Sequence, residues 1–110
     1  MNMTNLNSQL SVRPQVLPHE VAELAAAGFK GIINNRPDNE APDQPASAQI
    51  EAEARRHGLA YWHIPIVPGQ ATEADARAFA EALRQADGPV LAFCRTGNRS
   101  TGLFKMSRQV

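Results

Sequence analysis

Cysteine is nearly missing from this 110-residue chain, which carries a single one, Cys94. A lone thiol rules out an internal disulfide framework, and together with three histidines it shows none of the spacings that hold a metal ion. An excess of charge is missing too. Eleven Lys and Arg balance 11 Asp and Glu, so the broad electrostatic footprint of a nucleic-acid or membrane-surface binder is absent. The short basic run Arg55-Arg56-His57 reads as the end of a helix, where cations suit the dipole. No apolar run reaches the length of a membrane span, and Met1–Gln9 is too polar for a signal peptide. There is no Gly-x-x-x-x-Gly-Lys loop, no dinucleotide fingerprint and no internal repeat. These absences predict one cytoplasmic domain that uses no metal or organic cofactor and keeps its thiol reduced.

What is present is an alternation of strands and helices. Met1–Gln9 reads as a flexible lead-in, and the domain proper is expected over residues 10–110. Leu10–Arg13 reads as a short first strand. Pro18 opens a helix that stops near Gly28. Lys30–Asn34 is a second, Ile-rich strand, and Ala60–Ile66 and Pro89–Phe93 read as further buried strands. Between them, Ser47 can cap a helix ending at His57. Thr72, with Asp75 three residues on, caps another whose inner stripe is Ala76, Phe79, Ala80 and Leu83. A last helix is expected from about Ser100. With some ten residues it is thin cover for a sheet, so a longer natural chain or a partner is expected there, such as a second copy of the chain. Strands alternating with helices mean an α/β domain of parallel β-α units, with ligands beyond the carboxyl ends of the strands. Three segments converge on that edge: the proline-rich loop Asn35–Pro45, the turn Val67–Ala71, and the loop after Phe93.

The loop after Phe93 carries the chemistry. Cys94-Arg95-Thr96-Gly97-Asn98-Arg99-Ser100 lies where a strand ends and a helix begins. Amides of such a loop can cradle an anion, and the same field, with Arg95 and Arg99, lowers a thiol pKa. A thiolate in an oxyanion cradle is a nucleophile suited to phosphorus or sulfur. A merely buried cysteine would not require Gly97 and Arg99 at those positions.

The spacing is Cys-x4-Arg followed by Ser-Thr-Gly, one residue shorter than the Cys-x5-Arg-Ser/Thr signature of protein tyrosine phosphatases. The loop is similar to those of single-domain rhodaneses, which move sulfur through a cysteine persulfide. The wider context, with GFKGIINNRPDNE, Gln44-Pro45, LAYWHIP and GPVLAFCRTGNRS, resembles the bacterial phosphatase-like domain family of β-lactamase-hydrolase-like proteins over about Val12 to Leu103. That resemblance implies a tyrosine- or dual-specificity-phosphatase-like fold and a small oxyanion or phosphate monoester as ligand. In some members it also implies fusion to a metallo-β-lactamase-like domain.

Under this reading Cys94 is the nucleophile, and Arg99 with the loop residues Arg95, Thr96, Gly97 and Asn98 binds the substrate. Ser100, matching the Ser/Thr after the signature Arg, would stabilise the thiolate as leaving group. Phe93 stands where phosphatases usually carry His, and Val67-Pro68-Gly69-Gln70 lacks the expected general-acid Asp. Asp38 is the candidate acid, Asp43 a weaker one, and Asp75 is read as a helix-start residue, with Glu73 beside it. Arg36 could add a cation at the pocket rim or be a solvated loop residue. His63, Trp62 and Tyr61 read as packing residues. Three functions stay open at this point: a cysteine-dependent phosphatase, a sulfurtransferase working through a Cys94 persulfide, and an anion-binding module without turnover.

Overall fold

The computed structural model describes residues 2–110, arranged as a five-stranded sheet with helices on both faces. The strands are β1 (Thr4–Asn5), β2 (Leu10–Arg13), β3 (Gly31–Asn34), β4 (Ala60–His63) and β5 (Val90–Phe93). The helices are α1 (Val21–Ala26), α2 (Ser47–Arg56), α3 (Glu73–Gln85) and α4 (Asn98–Ser107), with a 3-10 turn at Pro18–Glu20 leading into α1. The sheet order is β1-β2-β5-β3-β4. Only β1 runs antiparallel, so the parallel β-α architecture expected from the alternation is the one formed.

β5 lies between β2 and β3, and all four of its residues are buried, as a strand covered on both faces must be. One side packs Val21, Leu24, Ile32, Ile50, Leu91 and Phe93 beneath α1 and α2. The other packs Leu10, Ile33, Phe79, Val90, Ala92 and Leu103 beneath α3 and α4. Phe93 therefore belongs to the core under α1 and α2, and the residue after it emerges at the carboxyl edge.

Several local expectations are met for the expected reasons. Thr72 and Asp75 form a reciprocal capping box, with Thr72 N–H donating to Asp75 Oδ2 at 2.9 Å and Asp75 N–H to Thr72 Oγ1 at 3.1 Å. Others are corrected. The lead-in expected to be flexible contributes β1, paired antiparallel through Thr4↔Val12 and Asn5↔Ser11, while Met1 lies outside the described residues. The stretch Ala60–Ile66 is not one buried strand: β4 stops at His63 and forms an edge of the sheet, with Ala60 and His63 exposed. α4 begins two residues earlier than expected, at Asn98, which brings the amides of Asn98 and Arg99 into its first turn. Ser47 is the first helical residue of α2 rather than its cap. Its hydroxyl meets Tyr61 Oη at 2.6 Å instead.

Candidate active site

Cys94 follows the last residue of the central strand and is fully buried. The chain then turns through Gly97, whose φ of +98° is left-handed and costs a side-chain-bearing residue strain. That turn points the Gly97 N–H back at Cys94 Sγ, 3.0 Å away. Burial pushes the Cys94 thiol up, but the amides of Ser100, Thr96, Gly97 and Arg99 outweigh it and hold the pKa below its ordinary value. Over the outer side of this loop opens a pocket of about 480 Å³ lined by Glu40, Pro68, Arg95, Thr96, Asn98 and Arg99.

Arg99 is held end-on. Its Nη1 donates to Glu40 Oε2 and its Nη2 to Glu40 Oε1, each at 2.8 Å, while Nη1 also donates to the Ile66 carbonyl at 2.8 Å. Three of the five guanidinium N–H groups are thereby committed. Nε–H and the second Nη2–H form the other planar fork of the group and donate to no protein oxygen among the described residues, while the Arg99 side chain also interacts with the Cys94 sulfur. The Glu40 bonds raise the Arg99 pKa, with a smaller contribution from Cys94. Arg99 hydrogen bonding is the main cause that lowers Glu40 to about 2, assisted by Arg36 and opposed by burial. Glu40 is therefore ionised at neutral pH and is no proton donor there.

The predicted residues divide into those at the pocket and those held elsewhere. Arg95, Thr96, Asn98 and Arg99 line it, and Gly97 builds its turn. Thr96 Oγ1 accepts from Asn98 N at 3.2 Å, which braces the loop from inside. Asp38 does not face the pocket. Its Oδ1 accepts from Ser47 N at 2.8 Å and so caps α2, where an acceptor oxygen suits the exposed amides. Arg36 is buried rather than at the rim, with Nε on Glu40 Oε1 and Nη1 on Gln15 Oε1, each at 3.0 Å. The Ser100 hydroxyl donates to Asn35 Oδ1 at 2.8 Å, so its contribution to the sulfur comes through its backbone amide. Asp75 serves its helix cap, and Glu73 pairs with Arg77 on the surface. His63 is exposed at the strand edge, with one ring nitrogen 2.9 Å from the Arg36 carbonyl oxygen.

Two contributors escaped the sequence reading. Glu40 stands four residues after Arg36, a spacing that permits an ion pair, but its partnership with Arg99 crosses 59 positions of chain. Asn35 is wholly buried and ties the start of α4 to the end of β4, accepting from Ser100 and donating to the Ile64 carbonyl at 2.9 Å.

Residues 2–110 match the model of the family described as beta-lactamase hydrolase-like protein, phosphatase-like domain. The chain belongs to that family. A beta-lactamase hydrolase-like protein of Xylella fastidiosa is 37% identical over 110 residues, all of this chain and 26% of the relative. The chain thus spans about a quarter of the length of such a relative. The crystal structure of a phosphatase candidate from Neisseria meningitidis superposes with a TM-score of 0.87 at 35% identity, covering 96% of this chain and 75% of the other. P. aeruginosa TpbA, solved as its C132S form in complex with pTyr, shares the fold with a TM-score of 0.64 at 22% identity over 94% of this chain and 59% of its own. The fold of this phosphatase-like domain is tyrosine phosphatase-like, as the wider sequence context led us to expect, although the loop spacing by itself pointed toward the rhodaneses. No helix among the described residues is long and apolar enough to cross a membrane.

Proposed function

We propose that this phosphatase-like domain hydrolyses phosphate monoesters through a phosphocysteine at Cys94. One observation carries the reading: a thiol of lowered pKa lies buried beside the side chain of Arg99, and Arg99 lines the pocket at the carboxyl edge of the sheet. The Cys94 thiolate would attack phosphorus, and the P–O bond to the alcohol would break as the S–P bond forms. Loop amides and the Nε/Nη2 fork of Arg99 would hold the equatorial oxygens, where charge develops in flight. Water would then cleave the S–P bond and release phosphate. Asp38 and Asp75 cap helices and Glu40 stays ionised, so none of these three carboxyl groups is placed to protonate the leaving alcohol. Rates should therefore depend steeply on leaving-group pKa, since general acid catalysis is typically worth ~10²–10⁴-fold.

A specific observation also favours sulfur transfer. Glu40 offsets the charge of Arg99 within a loop one residue shorter than the phosphatase signature, which suits a less charged guest than a phosphate dianion. Cys94 would attack the sulfane sulfur of thiosulfate, and sulfite would leave with the bonding electron pair. Cyanide would then take the sulfur as thiocyanate and restore the thiolate.

The deciding experiment runs p-nitrophenyl phosphate hydrolysis beside thiosulfate-to-cyanide transfer, with Cys94→Ser as control in both. Loss of phosphate turnover by at least ~10³-fold in Cys94→Ser supports the first reading. Turnover equal to that of Cys94→Ser, with a cyanide-reversible sulfur adduct on Cys94, supports the second. Alkylation of Cys94 followed against pH should have its midpoint below the ~8.5 of a free thiol. A midpoint at or above that value would count against both.

A further inference from the structure

A second cavity opens from the anion pocket and is not needed to hold an anion. It measures about 420 Å³ and runs between the turn after Ile66 and one face of α4. Ile66, Pro68 and Ala71 form one wall, and Gly102, Leu103 and Met106 the other. It shares Pro68, Asn98 and Arg99 with the anion pocket. Arg99, at that shared end, is the one charged residue lining it among the described residues. From Arg99 to Met106 the helix rises roughly 10 Å, the reach of a two-ring aromatic body.

Gly102 is the independent observation. It sits inside α4, where glycine weakens a helix, yet its φ is not left-handed and a Cβ built there would meet nothing within 4 Å. Neither backbone conformation nor packing requires glycine at this position. What the missing side chain does is keep the groove open beside Met106, an adaptable apolar wall that is 37% exposed.

We propose that this groove is a substrate subsite for a bulky apolar alcohol group, a fused-ring aryl or branched alkyl body, esterified to the anion held over Cys94. The proposal rests on the phosphatase reading above and narrows its substrate class. A molecule anchored by its head at Arg99 has this groove as an apolar exit, whereas a polyol or a highly charged body would find Asn98 and Arg99 at the shared end as its only polar side chains among the described residues.

The test compares two dianions that cannot be hydrolysed, methyl phosphonate and naphthylmethyl phosphonate, by calorimetry on the full chain. The parent should bind the naphthyl compound at least about ten-fold more tightly, from the apolar area removed from water. Gly102→Leu, which fills the groove while favouring helix, should reduce that preference to about three-fold or less and leave methyl phosphonate affinity unchanged. Met106→Asp, at an exposed position, should do the same. Equal affinity of the parent for the two phosphonates would overturn the subsite, as would a preference unaffected by both variants. A concentration-dependent dimer lost in Gly102→Leu would assign the groove to a second copy and overturn it as well. If methyl phosphonate failed to bind while the naphthyl compound bound in a Gly102-dependent way, the phosphatase reading would fall and the groove would stand.

Discussion

Two loops meet at Arg99, and they handle their polar groups in opposite ways. In the loop between β3 and α2, polar side chains are taken up internally. Arg36 holds Glu40 and Gln15, Asp38 holds the start of α2, and Gln44 accepts from Glu40 N while donating to the Pro37 carbonyl. In the cysteine loop, amides converge on one sulfur and a guanidinium fork is left without a protein oxygen to bind among the described residues. The first loop is built and the second is kept available. The difference teaches where function resides: a rigid, satisfied loop supplies Glu40 as a fixed anchor, so that the open loop can present Arg99 in one orientation without its other donors being used.

Breaking that anchor should have the largest effect. Glu40→Gln removes the ionised, bidentate partner of Arg99 and leaves the guanidinium only the Ile66 carbonyl and one amide oxygen, so kcat/KM for an aryl phosphate should fall by ~10²-fold. Phosphate protection of Cys94 from alkylation should weaken in parallel. An unchanged kcat/KM would mean that the charge of Glu40 is not needed to orient Arg99.

The same pair sharpens the comparison in acid. The folded-state pKa of Glu40 is lowered from 4.5 to about 2, so its stabilisation is fully present above pH 4.5 and is lost as pH falls through the lower value. With allowance for solvent at the rim, this contributes roughly 2 kcal/mol at neutral pH. Urea unfolding from pH 5 to pH 2 should show a shallower loss of stability for Glu40→Gln than for the parent. Parallel curves would exclude this linkage.

Asp38 tests whether the satisfied loop is structural only. Asp38→Ala should cost about 1 kcal/mol through the lost cap on α2, while Asp38→Asn, which can still accept there, should cost less. Neither should alter the dependence of rate on leaving-group pKa. A selective loss with alkyl esters in Asp38→Asn would restore Asp38 as the general acid. The smallest effect belongs to the open side: Gly102→Ala should raise stability by about 0.5–1 kcal/mol in thermal or urea unfolding, because nothing in the fold needs glycine there. A loss of stability would mean the position is packed after all.

Much of this was legible in the chain because it depends on neighbours in sequence. The period of the apolar residues marks strands and helices, Thr72 and Asp75 are three positions apart, and the Cys-x4-Arg loop carries its own geometry in Gly97. What misled was local in the same way. An acidic residue on a loop near the active edge resembles a catalytic acid, and Asp38 has that form, but helix α2 offers unpaired amides that capture it first. Ser100 has the right place in the motif, yet buried Asn35 captures its hydroxyl. Ala60–Ile66 reads as core, but strand order puts β4 at an edge, and sheet order is not written in any one strand.

The sequence by itself determined the β-α alternation and the cysteine loop, because backbone hydrogen bonding and side-chain period act over a few residues. It determined the family as well. Only the tertiary structure decided that Glu40 clamps Arg99 across 59 positions, that Asp38 and Arg36 serve the scaffold, and that a bare Gly102 leaves a groove beside the pocket. Each of these depends on which distant group reaches a donor first, and that competition is settled only when the chain has packed.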